Sequence, residues 1–302
     1  MNDMKECVAV ITRTKNRPLI LGRAVESVLG QTYRNWIHVI VNDGGAVAPV
    51  EEVLAPYKER YRDRLKVIHN PESVGMEAAS NKGIEASDST YLTIHDDDDT
   101  WEPEFLETCV RTLEETPFPS VKGVVTHTNQ IFERVGEYGA EEVSRRDFDP
   151  WLVSVSLPEI TEINKFMPIS FLFRREVFEA IGLFDETLPV IGDWEFNIRF
   201  LSKFDLIVVK DRLANYHIRV EESSNYANTV TAGRDRHLFH RDLIVNKHLR
   251  NDLEEGRVSM GMLMAWGDYF HRLGGNTWRL VQVVERLKNV APLRAIRRVL
   301  RV

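Results

Sequence analysis

The stretch Tyr91-Leu92-Thr93-Ile94-His95-Asp96-Asp97-Asp98-Asp99-Thr100-Trp101-Glu102-Pro103 decides how this chain is read. Its first four residues are apolar or β-branched, the pattern of a short buried strand. The strand runs straight into a histidine and four consecutive aspartates. Adjacent carboxylates repel, and like charges a few ångström apart cost energy unless a cation is near. A solvated acidic turn or a helix cap also uses aspartate. A strand that feeds directly into Asp96, however, puts the run at the rim of a sheet. Hard oxygen ligands there suit Mg²⁺ or Mn²⁺.

Outward from this strand, the first half alternates strand and helix. Val8-Ala9-Val10-Ile11 reads as a buried strand, and Asn16-Arg17-Pro18 turns the chain into a helix over 19–29. A strand over 36–41 ends in Asn42-Asp43-Gly44-Gly45. Then come a helix near 50–61, a strand over 65–68, a helix over 76–86 and, after the 91–94 strand, a helix over 104–113. This alternation predicts right-handed βαβ units and a parallel sheet covered on both faces. Ligands of such sheets bind beyond the carboxyl ends of the strands. The clusters Thr12-Arg13-Thr14, Asn42-Asp43-Gly44-Gly45 and His95 to Asp99 are therefore expected on one rim. The second half is less regular. Strands are expected over 121–126 and 169–173 with a long polar connection between them. A short helix over 175–181, a helix over 193–204 and strands over 206–209 and 213–217 follow, and from about 234 the pattern is helical to the end.

Composition bounds the class. The chain has 302 residues, 43% hydrophobic and 28% charged, which excludes a disordered tail protein, a collagen-like repeat and a coiled-coil rod. With 39 Lys+Arg against 46 Asp+Glu the net charge is −7, so a chain-wide footprint for nucleic acid is absent. Residues 286–302 hold six basic residues and no acid, which leaves −13 on the rest. In that tail Leu293, Ile296, Val299 and Leu300 fall at helical intervals among arginines. The pattern suits an interfacial helix on anionic lipid, and equally a packed or partner-binding helix. Cys7 and Cys109 read as small core residues of a reducing compartment. The polar N-terminus and the lack of an apolar run of bilayer length lead us to expect a soluble, cytoplasmic protein, with the tail as a peripheral contact.

Three metal chemistries compete for the aspartates. A calcium EF-hand fails because Trp101 stands where its loop needs glycine. Asp96-x-Asp98-x-Thr100 matches the phosphoaspartyl motif of haloacid-dehalogenase-type phosphatases, with Asp96 as nucleophile, although that family usually puts the motif on its first strand. The third chemistry is a nucleotide-diphosphate site with a carboxylate-held metal. A non-catalytic module that keeps the nucleotide rim is a further alternative.

The surrounding motifs favour the third chemistry. Over about residues 7–220 the chain resembles inverting glycosyltransferases of family 2, with the GT-A fold. The resemblance rests on the opening strand and loop Val8 to Pro18, the Gln31-Thr32-Tyr33 turn, Val41-Asn42-Asp43-Gly44-Gly45, and Asn70-Pro71 through Gly75 to Asn81-Lys82-Gly83. It extends to Asp96 through Pro103, Phe173 to Val177 with Gly182 to Glu186, and Gly192-Asp193-Trp194-Glu195. It implies an α/β fold of GT-A type: a mostly parallel, Rossmann-like sheet flanked by helices, with a helical C-terminal extension. The expected division is a catalytic domain over 1–231, which binds the nucleotide sugar through residues 1–115 and the acceptor through residues 116–231, followed by an extension over 232–302.

Roles follow from the resemblance. It implies Asp193 as the base that takes the acceptor's proton. Asp98 and His217 become ligands of Mn²⁺ or Mg²⁺. Thr12, Thr14, Arg17, Asp43, Asp96, Asp97 and Arg219 become the donor side. Asp43 would face the base or ribose, Asp96 the ribose and Arg219 the diphosphate, while Asp99 supports its neighbours. Trp194 and Glu195 fall on the acceptor side. Read on the residues alone, Asp193 also fits a helix N-cap, a role it can hold together with that of base, while Trp194 also fits a core side chain, Glu195 a structural acid and His217 a structural histidine. Two positions depart from the family's usual pattern: Asn42 precedes Asp43 where a second acid is common, and Gly192 stands where glutamate is common. The implied activity is metal-dependent, inverting transfer of a hexosyl or deoxyhexosyl group from a nucleotide-diphosphate sugar. The implied acceptor is a glycan or lipid-linked glycan in bacterial surface polysaccharide synthesis.

Overall fold

The computed structural model describes residues 7–136, 139–220 and 234–288. Val8–Thr14 forms β1, and its apolar residues Val8 to Ile11 are all fully buried, as a strand covered on both faces must be. Pro18 opens α1 (Pro18–Leu29), which buries Ile20, Leu21, Ala24, Val25, Val28 and Leu29 along one stripe. β2 is Trp36–Asp43, β3 Leu65–Asn70 and β4 Tyr91–Ile94. These four strands pair in parallel, with β1 between β2 and β4 and with β3 outside β2. Their carboxyl ends therefore share one rim, as the strand–helix alternation predicted.

The 50–61 helix is broken. α2 (Val47–Leu54) and α3 (Lys58–Tyr61) are separated by a 3₁₀ turn, Ala55–Tyr57. Pro56 sits in that turn and has no N–H to continue the ladder. α4 (Met76–Glu85) then lies against β1 and β2. A two-residue strand β5 (Thr100–Trp101) and α5 (Phe105–Glu115) follow the aspartate turn.

The second half differs most from expectation. β6 runs Val121–Gly136, far beyond the expected end, and pairs antiparallel with β7 (Gly139–Asp147). β7 escapes a hydrophobicity reading because backbone pairing holds it and most of its side chains stay exposed. The expected strands over 206–209 and 213–217 are one strand, β9 (Asp205–Arg219), with register shifts against β6. β8 is Phe171–Arg174, antiparallel to both β4 and β6. The described residues thus form a nine-stranded sheet ordered β3-β2-β1-β4-β8-β6-β9-β5, with β7 on β6. The sheet is parallel in its first half and mixed in its second.

Three short helices accompany these later strands: α6 (Leu157–Glu162), α7 (Val177–Ile181) and α8 (Gly192–Leu201). α8 is anchored by an aromatic cluster, with Phe196 stacked on Phe184 at 4.4 Å and Phe200 edge-on to Phe171 at 5.2 Å. The chain divides into two compact units, Met1–His240 and Arg241–Val302, nine residues beyond the boundary expected at 231. The helical extension consists of α9 (Arg234–Glu254) and α10 (Met260–Lys288), separated by a turn at Gly256 with φ 70°. The tail residues Leu293, Ile296, Val299 and Leu300 lie outside the described residues. Among those described, no helix is long and apolar enough to cross a membrane.

Gly123 lets β6 meet the aromatic cluster. A Cβ there would lie 2.6 Å from Phe171 Cε2 and 2.9 Å from Phe200 Cζ. Gly123→Ala is expected to lose about 1–3 kcal/mol by overpacking. Gly267→Ala, in a helix with nothing within 4 Å of the new Cβ, should gain about 0.5–1 kcal/mol. Urea titration of both variants checks the opposite signs.

Candidate active site

The aspartate turn emerges from β4 beside the end of β1. Three of its four carboxylates, those of Asp96, Asp97 and Asp98, meet guanidinium groups delivered by other elements. Arg13, at the end of β1, donates to Asp96 from one nitrogen and to Ser80 Oγ at 3.2 Å from the other. Arg17, just before α1, reaches Asp97 at 3.1 Å and Asp98 at 3.0 Å. Arg219, at the end of β9, donates to Asp98 as well. Burial alone would raise the Asp98 carboxyl, but Arg17 and Arg219 outweigh it and hold it at about 2. Asp97 is fully buried and pushed up to about 7, with Arg17 opposing the rise.

A second layer holds the turn from behind. Arg23 of α1 donates to the Asp98 carbonyl at 2.6 Å and to both oxygens of Glu133 on β6, at 2.6 and 3.1 Å. Glu133 Oε2 also lies 2.9 Å from His217 Nδ1, while His217 Nε2 lies 3.0 Å from Thr100 Oγ1. Burial keeps His217 below its ordinary value, so the ring is neutral near pH 7. Nδ1–H then donates to Glu133, and Nε2 accepts the Thr100 hydroxyl. The backbone N–H of His217 donates to Asp99 Oδ1 at 2.9 Å.

Two clefts open on this rim. The larger, about 600 Å³, is lined by Thr14, Asn16, Asp43, Ser73 and Gly75, among others. The smaller, about 140 Å³, is lined by Glu77, Asp98, Asp99, Asp193 and Tyr216, among others. Arg13, Arg17, Met76 and Asp96 line both. Asp193 sits in the first turn of α8, and Asn164 donates to its Oδ2 at 2.7 Å. Asn164 is itself held by Asn197 at 3.1 Å. Burial raises the Asp193 carboxyl, and Arg13 and Asn164 are among the groups that oppose the rise.

Several expected site residues stand elsewhere. Thr12 is fully buried, with its hydroxyl 2.8 Å from His38 Nε2, and it lines neither cleft. Asp97 and Arg219 also line neither cleft, and both serve the charge balance of the turn. Trp194, expected on the acceptor side, is buried and donates to the Ile160 carbonyl at 2.6 Å, tying α8 to α6. Glu195 is held by Arg199 through two bonds of 2.7 Å along α8 and faces no cleft. His217 offers no vacant ring nitrogen in this arrangement, because Glu133 and Thr100 take both. Asp43 lines the larger cleft but already accepts four hydrogen bonds, from Asn70, Ser73 and the N–H groups of Val74 and Gly75. Four donors fill a carboxylate's lone pairs, so a nucleotide donor would have to share an oxygen with them.

Sequence reasoning missed Arg13, Glu77, Arg23, Glu133 and Asn164. A signal existed only for Arg13, a charged residue in the cluster Thr12-Arg13-Thr14 already expected at the rim. The others come from elements remote in sequence. For a metal, no three acidic, histidine or cysteine side chains among the described residues group as a cage. The donor set instead fits a cation held by one or two carboxylates, here Asp96 and Asp98, with phosphate and water supplying the other oxygens.

A model described as Glycosyl transferase family 2 matches residues 9–182, more than half of the chain. The chain belongs to glycosyltransferase family 2. The glycosyltransferase is 35% identical over 302 residues to the putative glycosyltransferase EpsH of Bacillus subtilis (strain 168), covering 94% of this chain and 81% of that protein. It is 27% identical to the succinoglycan biosynthesis protein ExoW of Rhizobium meliloti (strain 1021), covering 63% of this chain and 61% of that protein. Among solved structures it is similar to the mannosyltransferase PcManGT from Pyrobaculum calidifontis in complex with GDP-Man and Mn²⁺. The TM-score is 0.58 at 17% identity, over 95% of this chain and 82% of that one. S. aureus TarS 1–349 in complex with UDP-GlcNAc gives a TM-score of 0.53 at 18% identity, over 82% of this chain and 72% of that one. The glycosyltransferase has the GT-A fold.

Removing Glu133 would strand two groups at once. Glu133→Ala is expected to lose about 3–5 kcal/mol, the scale for breaking a buried ion pair from one side. Burial would raise the Glu133 carboxyl, but His217 and Arg23 win and lower it from 4.5 to about 2. A depressed folded value stabilises above the unfolded value. This contribution is therefore full above pH 4.5 and fades as the pH falls through about 2. Urea titrations of the parent and Glu133→Gln between pH 7 and pH 2 should converge in that acid window.

Proposed function

We propose that this glycosyltransferase is metal-dependent and inverting, and moves a hexosyl or deoxyhexosyl group from a nucleotide-diphosphate sugar to an acceptor hydroxyl. One observation carries the reading: two clefts of unequal size share Arg13, Arg17, Met76 and Asp96, with Asp193 on the wall of the smaller. The larger cleft takes the nucleotide. Thr14 and Arg17 line it, and the Asp43-organised loop at Ser73 to Gly75 closes one side. The smaller cleft takes the reacting sugar and the acceptor.

Asp193 is the base. Asn164 fixes one of its oxygens, and burial raises its carboxyl, which makes the carboxylate a stronger base. It takes the acceptor hydroxyl's proton as that oxygen attacks the anomeric carbon from the side opposite the leaving diphosphate. Asp98, with Asp96, would hold the divalent ion, whose positive charge would stabilise the nucleoside diphosphate as a leaving group. Arg13 and Arg17 add positive charge beside the same junction. The ion is Mn²⁺ or Mg²⁺, and the presence of Mn²⁺ in the PcManGT complex supports that choice.

The acceptor is a glycan or lipid-linked glycan in bacterial surface polysaccharide synthesis, a reading supported by the succinoglycan role in ExoW's name. The helical extension supports a peripheral contact at the cytoplasmic face of a membrane or with a protein partner. On α10, Met262, Trp266, Tyr269 and Leu273 are spaced to share one face, and all are exposed.

The deciding test is a panel of UDP- and GDP-sugars incubated with Mn²⁺ or Mg²⁺ and analysed for nucleoside diphosphate release and transfer. Donor turnover should require the cation, stop with a chelator and fall sharply in Asp98→Ala. Asp193→Asn is expected to lose about 10²–10⁴-fold in kcat while binding the donor as the parent does. The anomeric configuration of the product, read by NMR, should be inverted. Turnover of the parent donor by Asp193→Asn at the parent rate would overturn the base assignment.

A further inference from the structure

The first turn of α4 holds a carboxylate that the mechanism leaves unused. Glu77 is buried, yet it lines the smaller cleft with Asp193 and Asp96. Burial pushes its carboxyl up to about 7, with Arg13 opposing the rise and Asp193, Asp96 and Glu195 adding to it. A carboxylate among carboxylates is costly, and a side chain with only a packing role would be apolar at lower cost.

Two observations say what Glu77 is for. The first is its seat. A Cβ added to Gly192 would lie 2.4 Å from Glu77 Cδ and 2.5 Å from its Cγ and Oε1, so the side chain of Glu77 fills the space that position 192 leaves open. The residue before Asp193 thus has no side chain, and a carboxylate from another helix stands in its place. The second is its partner. Glu77 Oε2 is 3.8 Å from Arg13 Nη1, whose hydrogen goes to Ser80 Oγ at 3.2 Å, while Nη2 goes to Asp96. Arg13 lies at the junction of the two clefts. Its guanidinium is thereby held between two carboxylates, one on each side.

We propose that Glu77 is a positioning residue of the transfer reaction: seated in the room left by Gly192, it holds the Arg13 guanidinium at the junction of the two clefts, where that group meets the donor diphosphate. The role rests on the reading of the larger cleft as a nucleotide-sugar site. The seat itself is a matter of packing and is tested separately.

The experiment is a carboxylate relocation. An aspartate at position 192 would carry its carboxyl carbon one bond, about 1.5 Å, beyond the Cβ that now meets Glu77. Glu77→Ala, Glu77→Gln, Gly192→Asp and the double variant Glu77→Ala/Gly192→Asp are compared with the parent. Melting temperature and calorimetric affinity for UDP and GDP, with Mn²⁺ present, are the readouts. Gly192→Asp alone should melt well below the parent, and the double variant should recover most of that loss, since the two side chains compete for one space. Glu77→Ala should weaken binding of whichever diphosphate the parent takes by about tenfold, and the double variant should return to within about threefold of the parent. Measured at about pH 8.5, above the raised Glu77 carboxyl, Glu77→Gln keeps the shape and removes the charge, so it should melt near the parent yet bind about as weakly as Glu77→Ala. A merely structural glutamate would leave the affinity of Glu77→Gln unchanged, and that result would overturn the proposal. Additive melting losses in the double variant would overturn the shared seat. If the parent binds neither UDP nor GDP, the donor reading and the positioning role fall together, while the melting cycle still decides the seat.

Discussion

Crowding of like charge at one rim is the constraint on which the rest of this structure depends. Asp96 to Asp99 arrive together from β4, and Glu77 and Asp193 face the same small cleft from α4 and α8. No neighbour in the local sequence offsets this charge. Arg13 comes from β1, Arg17 from the loop before α1, and Arg219 from β9, more than a hundred residues further along. Each buried carboxylate without such a partner would cost several kcal/mol. Strand order and charge balance are therefore one problem. β1 has to lie beside β4, and β9 has to end near the turn, or Asp98 could not stay ionised among its acidic neighbours.

The parallel half of the molecule was legible in the sequence because its signals are local. Val8 to Ile11 and Tyr91 to Ile94 are apolar runs that end in polar clusters, and burial on both faces gives that pattern. The aspartate run could be read for the same reason. Other features are settled by contacts across long sequence separations. β7 is exposed along most of its length and leaves no hydrophobic period. Trp194 suits an acceptor side or a core by residue type, and in the fold the Ile160 carbonyl takes its indole N–H. Glu195 likewise suits an acceptor contact or a structural role, and Arg199, one turn on, holds both its oxygens. Such residue types serve a site or a scaffold equally well, and a single chain without its fold does not distinguish the two uses.

The two clefts also differ in origin. The larger is walled mainly by the ends of β1 and β2 and by the loop that Asp43 organises, with only Pro189 and Arg236 added from the second half. The smaller adds Met167, Pro168, Val190, Ile191, Asp193 and Tyr216 from the second half. Irregular segments join elements of a mixed sheet there, and loops tolerate insertion and substitution better than paired strands do. A cleft drawn mostly from a regular framework is thus joined to one drawn largely from its more variable connections.

The aspartate turn is gripped mostly by its side chains. Arg23 takes the carbonyl of Asp98, but Arg13, Arg17 and Arg219 hold the carboxylates of Asp96, Asp97 and Asp98, and the His217 N–H goes to the carboxylate of Asp99. Architecture and charge at this turn are therefore carried by the same atoms. A neutral residue at 96 or 98 would take a partner from a guanidinium that belongs to another strand or loop. For an engineer the turn is a knot rather than a socket: rewriting either position means rewriting its arginine as well.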